Sequence, residues 1–177
     1  IEPTNYAFKK LTKNLNLNKY LKKNISLNQL FLSKISKPRK VWSSWNFDND
    51  DDKHKQHLGT LHSIKKKSYI SLNNFIKLKK IKKVDFIKLD VDGHELDVLK
   101  SGEKFLKNKK PVIFIEIAPY LYPEFGYKCS KLITYIKKLK YSFYSEELKK
   151  ITDIDNYIKK ITYGGSENFY LMKNYKT

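Results

Sequence analysis

The stretch DFIKLDVDGHELDVLK, Asp85–Lys100, decides how the rest of the chain is read. Its first half has the apolar content and length of a buried strand. From Gly93 the spacing changes. Leu96, Leu99, Phe105 and Leu106 recur at helical intervals and predict a helix over Gly93–Lys107. Pro111 then introduces VIFIEI, an apolar run of the kind buried on both faces of a parallel sheet. Two strands joined by such a helix lie parallel and usually adjacent, because the crossover is right-handed. The same stretch holds four carboxylates, Asp90, Asp92, Glu95 and Asp97, within eight residues. The chain around them is formally +19, so the cluster needs an explanation of its own.

At 177 residues the chain is long enough to bury a full core, and a single domain over 1–177 is expected. Hydrophobic residues make up 40%, which argues against disorder. The apolar runs are short, PVIFI among them, so no segment can span a bilayer and no membrane partner is expected. No charged-then-apolar leader is visible. Cys129 is the sole cysteine, which excludes an internal disulfide framework and fits a reducing cytoplasm, the expected location. Of 37 basic residues only Arg39 is arginine. Nucleic-acid readers lean on arginine for bidentate and stacking contacts. Lysine here accompanies abundant Asn and Ile, all with A/T-rich codons. The charge is therefore either compositional drift on a solvated surface or a footprint for an anionic partner.

Outward from the opening stretch, strands and helices alternate. IEPTNYAFKKLTKNLNLN turns helical after Pro3, with Thr4 or Asn5 as cap and Tyr6, Phe8, Leu11, Leu15 and Leu17 as its stripe. ISLNQLFLS, Ile25–Ser33, alternates as a strand, and RKVWSSWNF reads as another, in a hairpin or at an edge. Asp48–Gly59 is a polar loop. Its Asp run with His54 and His57 is read as solvated rather than metal-binding. SYISLNNFIKLKKIKK is a short strand running into a short helix; Lys128–Lys138 is helical; YSFYS and ENFYLMKN are strands. The alternation is that of a doubly wound α/β sheet.

In such a sheet, ligands bind beyond the carboxyl ends of the strands. Asp90 ends one strand and Glu116 the next, so both are expected to face one crevice. Asp92-Gly93-His94-Glu95 has the spacing of a capping box, with Asp92 as cap and Glu95 reaching back. Asp97 reads as a surface helix residue. Lys88 lies two residues before Asp90 on the same strand face. The two form either a structural ion pair or a functional pair in the crevice. A calcium-binding EF-hand is excluded. With Gly93 at the invariant glycine, the first ligand position is Lys88 and the last is Leu99.

These residues resemble the FkbM-type methyltransferases. VDFIKLDVDGHELDVLKSGEKFL followed by PVIFIEI is similar to that family's central block. IEPTNYAFKKLTKNLNLN, YISLNNFI and SENFYLM resemble other segments of it, in the expected order. Asp92 stands where the family has Glu, and Asn73-Asn74 where it has two Asp. The resemblance implies a Rossmann-like class I methyltransferase fold, a doubly wound, mostly parallel sheet. It implies S-adenosylmethionine as cofactor and O-methylation of a hydroxyl on a sugar or natural product. Glu2 would hold the ribose hydroxyls, with Pro3 near the adenine; Asp90 and Asp92 would border the methionine end. The family's first strand and glycine-rich loop should precede Glu2, so the chain reads as a fragment whose cofactor binding depends on residues upstream of Ile1.

For transfer to a hydroxyl, a positioned base must take the proton. Asp90 is the first candidate, then Glu116, with Lys88 beside them; His94 has the better ordinary pKa but lies in the cap, with its side chain read as facing solvent. No metal is expected, although Asp90, Asp92 and Glu116 could hold a divalent ion. Ala118–Tyr127, APYLYPEFGY, offers aromatics either for stacking on a sugar or for filling the core. The alternatives to this enzyme are a basic nucleic-acid-binding module, an RNA methyltransferase, or a non-catalytic remnant of the fold. Nucleic acid is the less expected partner, given the scarcity of arginine.

Overall fold

The computed structural model describes residues 1–35, 39–43, 60–64 and 69–173. Two compact units divide the chain, Ile1–Ile70 and Ser71–Thr177. Among the described residues no helix is long and apolar enough to cross a membrane.

The first unit opens with helix α1 (Asn5–Leu17), which buries none of its residues. Thr4 occupies the N-cap position as expected, but its side chain does not cap. Its N–H and hydroxyl both donate to Glu2 Oε1, at 2.7 and 2.5 Å. A 3₁₀ turn, Lys19–Asn24, follows. The strand expected over Ile25–Ser33 contracts to β1 (Phe31–Leu32). Strand β2 (Arg39–Ser43) pairs antiparallel with β3 (Thr60–Ile64), so RKVWSSWNF does enter a two-stranded ladder; β3 itself was not anticipated. The charged loop with His54 and His57 lies outside the described residues. Strand β4 (Tyr69–Ile70) runs parallel to β1, and Phe31, Val41 and Tyr69 pack together as a small core.

The second unit carries the main sheet. Helix α2 (Leu72–Leu78) is capped by Ser71, whose Oγ accepts from the Asn74 N–H. Then come β5 (Phe86–Leu89), α3 (Glu95–Ser101), α4 (Glu103–Lys109) and β6 (Val112–Ile117). Helix α5 (Cys129–Lys138), β7 (Tyr141–Tyr144), β8 (Lys150–Ile151), α6 (Ile154–Lys159) and β9 (Glu167–Lys173) complete it. The spatial order is β5-β6-β9-β7-β8. The fold is mixed α/β, as expected, but the sheet is mixed rather than mostly parallel. Only β5 and β6 pair in parallel; β9 enters between β6 and β7 and runs antiparallel to both. Strand β6 alternates instead of burying both faces, with Ile113, Ile115 and Ile117 fully buried and the residues between them partly exposed.

The single helix expected over Gly93–Lys107 is two. It starts at Glu95 and breaks at Gly102, where α2 crosses too closely for a side chain. A Cβ on Gly102 would lie 2.5 Å from Leu72 Cδ2. Ser101 fastens the same crossing. Buried, it accepts from the Leu72 N–H at 3.0 Å and donates to the Val98 carbonyl at 2.8 Å. Helix α6 and strand β8 carried no signal that the reading above recognised.

Ser101→Ala should strand the Leu72 N–H in the interior and cost about 1–3 kcal/mol, the usual penalty for an unsatisfied buried donor. Urea unfolding of the variant against the parent protein measures it; a cost near zero would show that this crossing does not depend on the hydroxyl.

Candidate active site

The site is built by the turn that ends β5. Leu89 is buried, Asp90 is exposed, and the backbone then reverses through two left-handed residues, Asp92 (φ 46°) and Gly93 (φ 93°). The left-handed region is open to glycine and, among other residues, most readily to Asp and Asn. Gly93 is required on a second count: a Cβ there would lie 2.3 Å from the Phe125 ring. Tyr127 secures the same contact by donating from its hydroxyl to the Gly93 carbonyl at 2.7 Å.

Asp92 does not cap the helix. The N-cap of α3 is His94, which makes no side-chain cap bond. The left-handed turn puts Asp92 two residues too early, which corrects the capping-box assignment for that residue. Glu95 does reach back. Its Oε1 accepts from the N–H groups of Val91 and Gly93 at 3.4 and 3.3 Å and so closes the turn. Glu95 is 2% exposed, and its Oε2 has no hydrogen-bond partner among the described residues. Loss of water pushes its carboxyl up to about 8, against the opposing pull of those N–H groups.

Leu89 is opposite Ile115 in the parallel ladder, so the residues that follow each, Asp90 and Glu116, emerge side by side. With Asp92 they bring one carboxylate oxygen each within 4.8 Å of one another. The expectation that Asp90 and Glu116 end adjacent parallel strands and project from the same edge is met. Glu116 titrates above the ordinary carboxylate range. Burial raises it first, then a hydrogen bond with Asp90 and repulsion from Asp90 and Asp92; the Ser166 hydroxyl, donating at 2.5 Å, pulls the other way. Lys88 pairs with Asp90 on the exposed side of the strand, so the proposed Lys88–Asp90 contact exists. Three carboxylates so placed could also ligate a divalent cation. Lys88 offsets part of their repulsion.

His94 is elsewhere. It is buried, not solvent-facing, with its ring 4.3 Å from that of Phe125 and Nδ1 3.7 Å from Asp97 Oδ2. Glu2 and Pro3 belong to the first unit, and the Glu2 carboxylate is engaged by Thr4. The aromatic segment after β6 divides its work. Leu121 and Tyr122 fill the core, and Tyr122 stacks on Tyr127 with ring centres 4.9 Å apart. Tyr120 stays partly exposed, its phenol pushed up by burial and then by Asp92, Glu116 and Glu124. One residue here escaped the sequence reading, Ser166; Tyr120 falls within the aromatic segment read as stacking on a sugar or filling the core. Ser166 sits directly before β9, whose antiparallel register sets Asn168 opposite Glu116; the Gly164-Gly165-Ser166 turn was its only signal.

The second unit is thus a mixed α/β sheet whose Asp90, Asp92 and Glu116 gather at the carboxyl ends of two parallel strands, the edge at which open α/β sheets bind ligands. Residues 1–143 match the model of the methyltransferase FkbM domain, and the chain belongs to that family. Among solved structures it is similar to a methyltransferase FkbM from Methylobacillus flagellatus, at 13% identity with a TM-score of 0.51. That match covers 96% of this chain and 35% of the other. At such identity the likeness speaks to the fold. No curated protein matches the sequence.

Because Glu95 binds its proton more tightly folded, near pH 8, than unfolded, near 4.5, it stabilises the fold most at acid pH. That contribution should decline as pH rises from about 4.5 to 8. Glu95→Gln should flatten this part of the stability curve, measured by thermal melts across the range. An unchanged slope would mean that Glu95 is ionised in the native state.

Proposed function

We propose that this chain forms part of an S-adenosylmethionine-dependent O-methyltransferase whose acceptor is a hydroxyl on a sugar or natural product. Family membership supports methyl transfer. The observation that carries the finer reading is the Asp90–Glu116 pair, two carboxyl groups brought together where adjacent parallel strands end, with Glu116 raised in pKa by burial. The donor set fits the cofactor at its charged end, since a sulfonium cation is favoured beside clustered carboxylates in a site partly shielded from water. Asp90 and Asp92 would border that end. The cofactor, when bound, supplies a methyl group on positively charged sulfur.

The protein's own task is alignment and proton removal. The Asp90–Glu116 pair would take the proton of the acceptor hydroxyl as that oxygen receives the methyl group. Burial makes Glu116 a stronger base than an exposed carboxylate. Lys88 holds Asp90 in place. Tyr120, partly exposed and close enough to sense Asp92 and Glu116, supplies a ring face for a sugar.

In the full-length protein, Asp90→Asn and Glu116→Gln should each slow methyl transfer by about 10²–10⁴-fold, the usual worth of a positioned base. Transfer of labelled methyl from S-adenosylmethionine to a panel of methyl glycosides reads the rate, and calorimetry reads cofactor binding separately. Undiminished transfer in both variants would remove the pair from the mechanism; absence of cofactor binding at any concentration would remove the enzyme reading.

A further inference from the structure

The second unit has two chemically opposite edges. Its carboxylates gather where β5 and β6 end. The opposite edge, where those strands begin, is reached by the C-termini of α2, α4 and α5 and by the end of β9, since Tyr141 at the start of β7 pairs with Lys173. Lysine stands at each of these places. Lys79, Lys80, Lys82, Lys109, Lys140 and Lys173 are all exposed. Asp85 and Glu103 are taken up by two further lysines, Lys83 at 2.7 Å and Lys107 at 2.6 Å. Lys110 stands at the same edge, donating to the Leu139 carbonyl, its pKa lowered by burial and then by Lys140, Lys173 and Lys107.

Two further features distinguish this edge from a merely solvated one. Lys80, Lys110 and Lys140 have φ of 52°, 50° and 59°. Each is the left-handed residue that ends a helix, where glycine is the easy choice. Large apolar side chains also stand among the lysines. Leu78, the last residue of α2, is 69% exposed and Phe86, the first of β5, is 51% exposed.

We infer that this lysine edge docks on an anionic membrane surface, with Leu78 and Phe86 entering the headgroup boundary. The inference is independent of the methyl-transfer reading. Lysine is a strongly hydrated point charge suited to a diffuse anionic surface, and the second unit contains no arginine with which to grip a phosphate bidentately. An exposed leucine gains nothing from a phosphate backbone, but it gains by leaving water at an acyl boundary. The charge distribution also sets the orientation: the acidic crevice, at the far edge, points away from a surface of its own sign. The lack of a spanning segment bears on insertion, not on contact of this kind, so the inference replaces the expectation of no membrane partner.

Cosedimentation with phosphatidylcholine vesicles, with and without about one-third phosphatidylserine, tests it. Binding should require the anionic lipid and fall steeply with salt. Lys80→Gln and Lys140→Gln should each lower the partition about fivefold. Leu78→Ser with Phe86→Ser should lower it further, with circular dichroism unchanged because both side chains are exposed. Lys128→Gln with Lys131→Gln, at the N-terminal end of α5 and away from this edge, serves as the control and should lower it less. Equal binding to neutral vesicles, no binding at low salt, or an equal loss in the control would overturn the inference. So would polyuridylate RNA that displaces the vesicles and binds regardless of Leu78 and Phe86; the edge would then be a nucleic-acid surface.

Discussion

The parallel register of β5 and β6 is the constraint on which the chemistry of this molecule depends. With Leu89 set opposite Ile115, the residues that follow must project together, and both are acids. Two like charges about 4 Å apart repel by roughly 1 kcal/mol in water and about 4 kcal/mol near a protein surface. The fold answers this with the Lys88 ammonium group on one side and the Ser166 hydroxyl on the other. Neither removes the negative charge altogether. The crevice therefore stays acidic in a chain of net +19.

The turn beyond Asp90 is the second half of the device. It is held from inside by Glu95, whose carboxyl closes the backbone of Val91 and Gly93, and from outside by Phe125 and Tyr127. Because Phe125 rests where a Gly93 side chain would be, the aromatic segment after β6 and the turn after β5 cannot move independently. That coupling ties Tyr120 to the carboxylates. A substitution at Phe125 would thus reach the crevice through the turn, without touching any acidic residue.

Much of this was legible in the residues. The apolar runs at Phe86–Leu89 and Val112–Ile117 fixed two strands, and the intervening helical spacing fixed their parallel sense, so the meeting of Asp90 and Glu116 followed from pattern alone. What was not legible is instructive. The capping box misassigned Asp92 because its spacing is shared with a left-handed turn, and only backbone angles separate the two. The close crossing at Gly102 involves Leu72, thirty residues earlier, and no local pattern carries such a contact. Placing β9 between β6 and β7 is likewise non-local, and with it went Ser166. Asp48–Gly59 yielded neither a pattern nor a described structure.

Charge in the second unit follows helix polarity. Acids stand in the first turns of α3, α4 and α6 and lysines in the last turns of every helix from α2 to α6. That is the arrangement the helix dipole favours at each end. Each single preference is small, typically 0.3–1 kcal/mol at a surface. But α2, α4 and α5 all deliver their C-termini to the edge where the strands they feed begin, so the preferences add in space even though the residues are scattered in sequence. Compositional drift accounts for how many lysines the chain carries. It does not account for three of them in left-handed positions at one edge, or for the acids at the other. Topology does the sorting: alternating strand and helix turns a weak rule at each helix end into a unit with two poles, one acidic where β5 and β6 end and one basic where they begin.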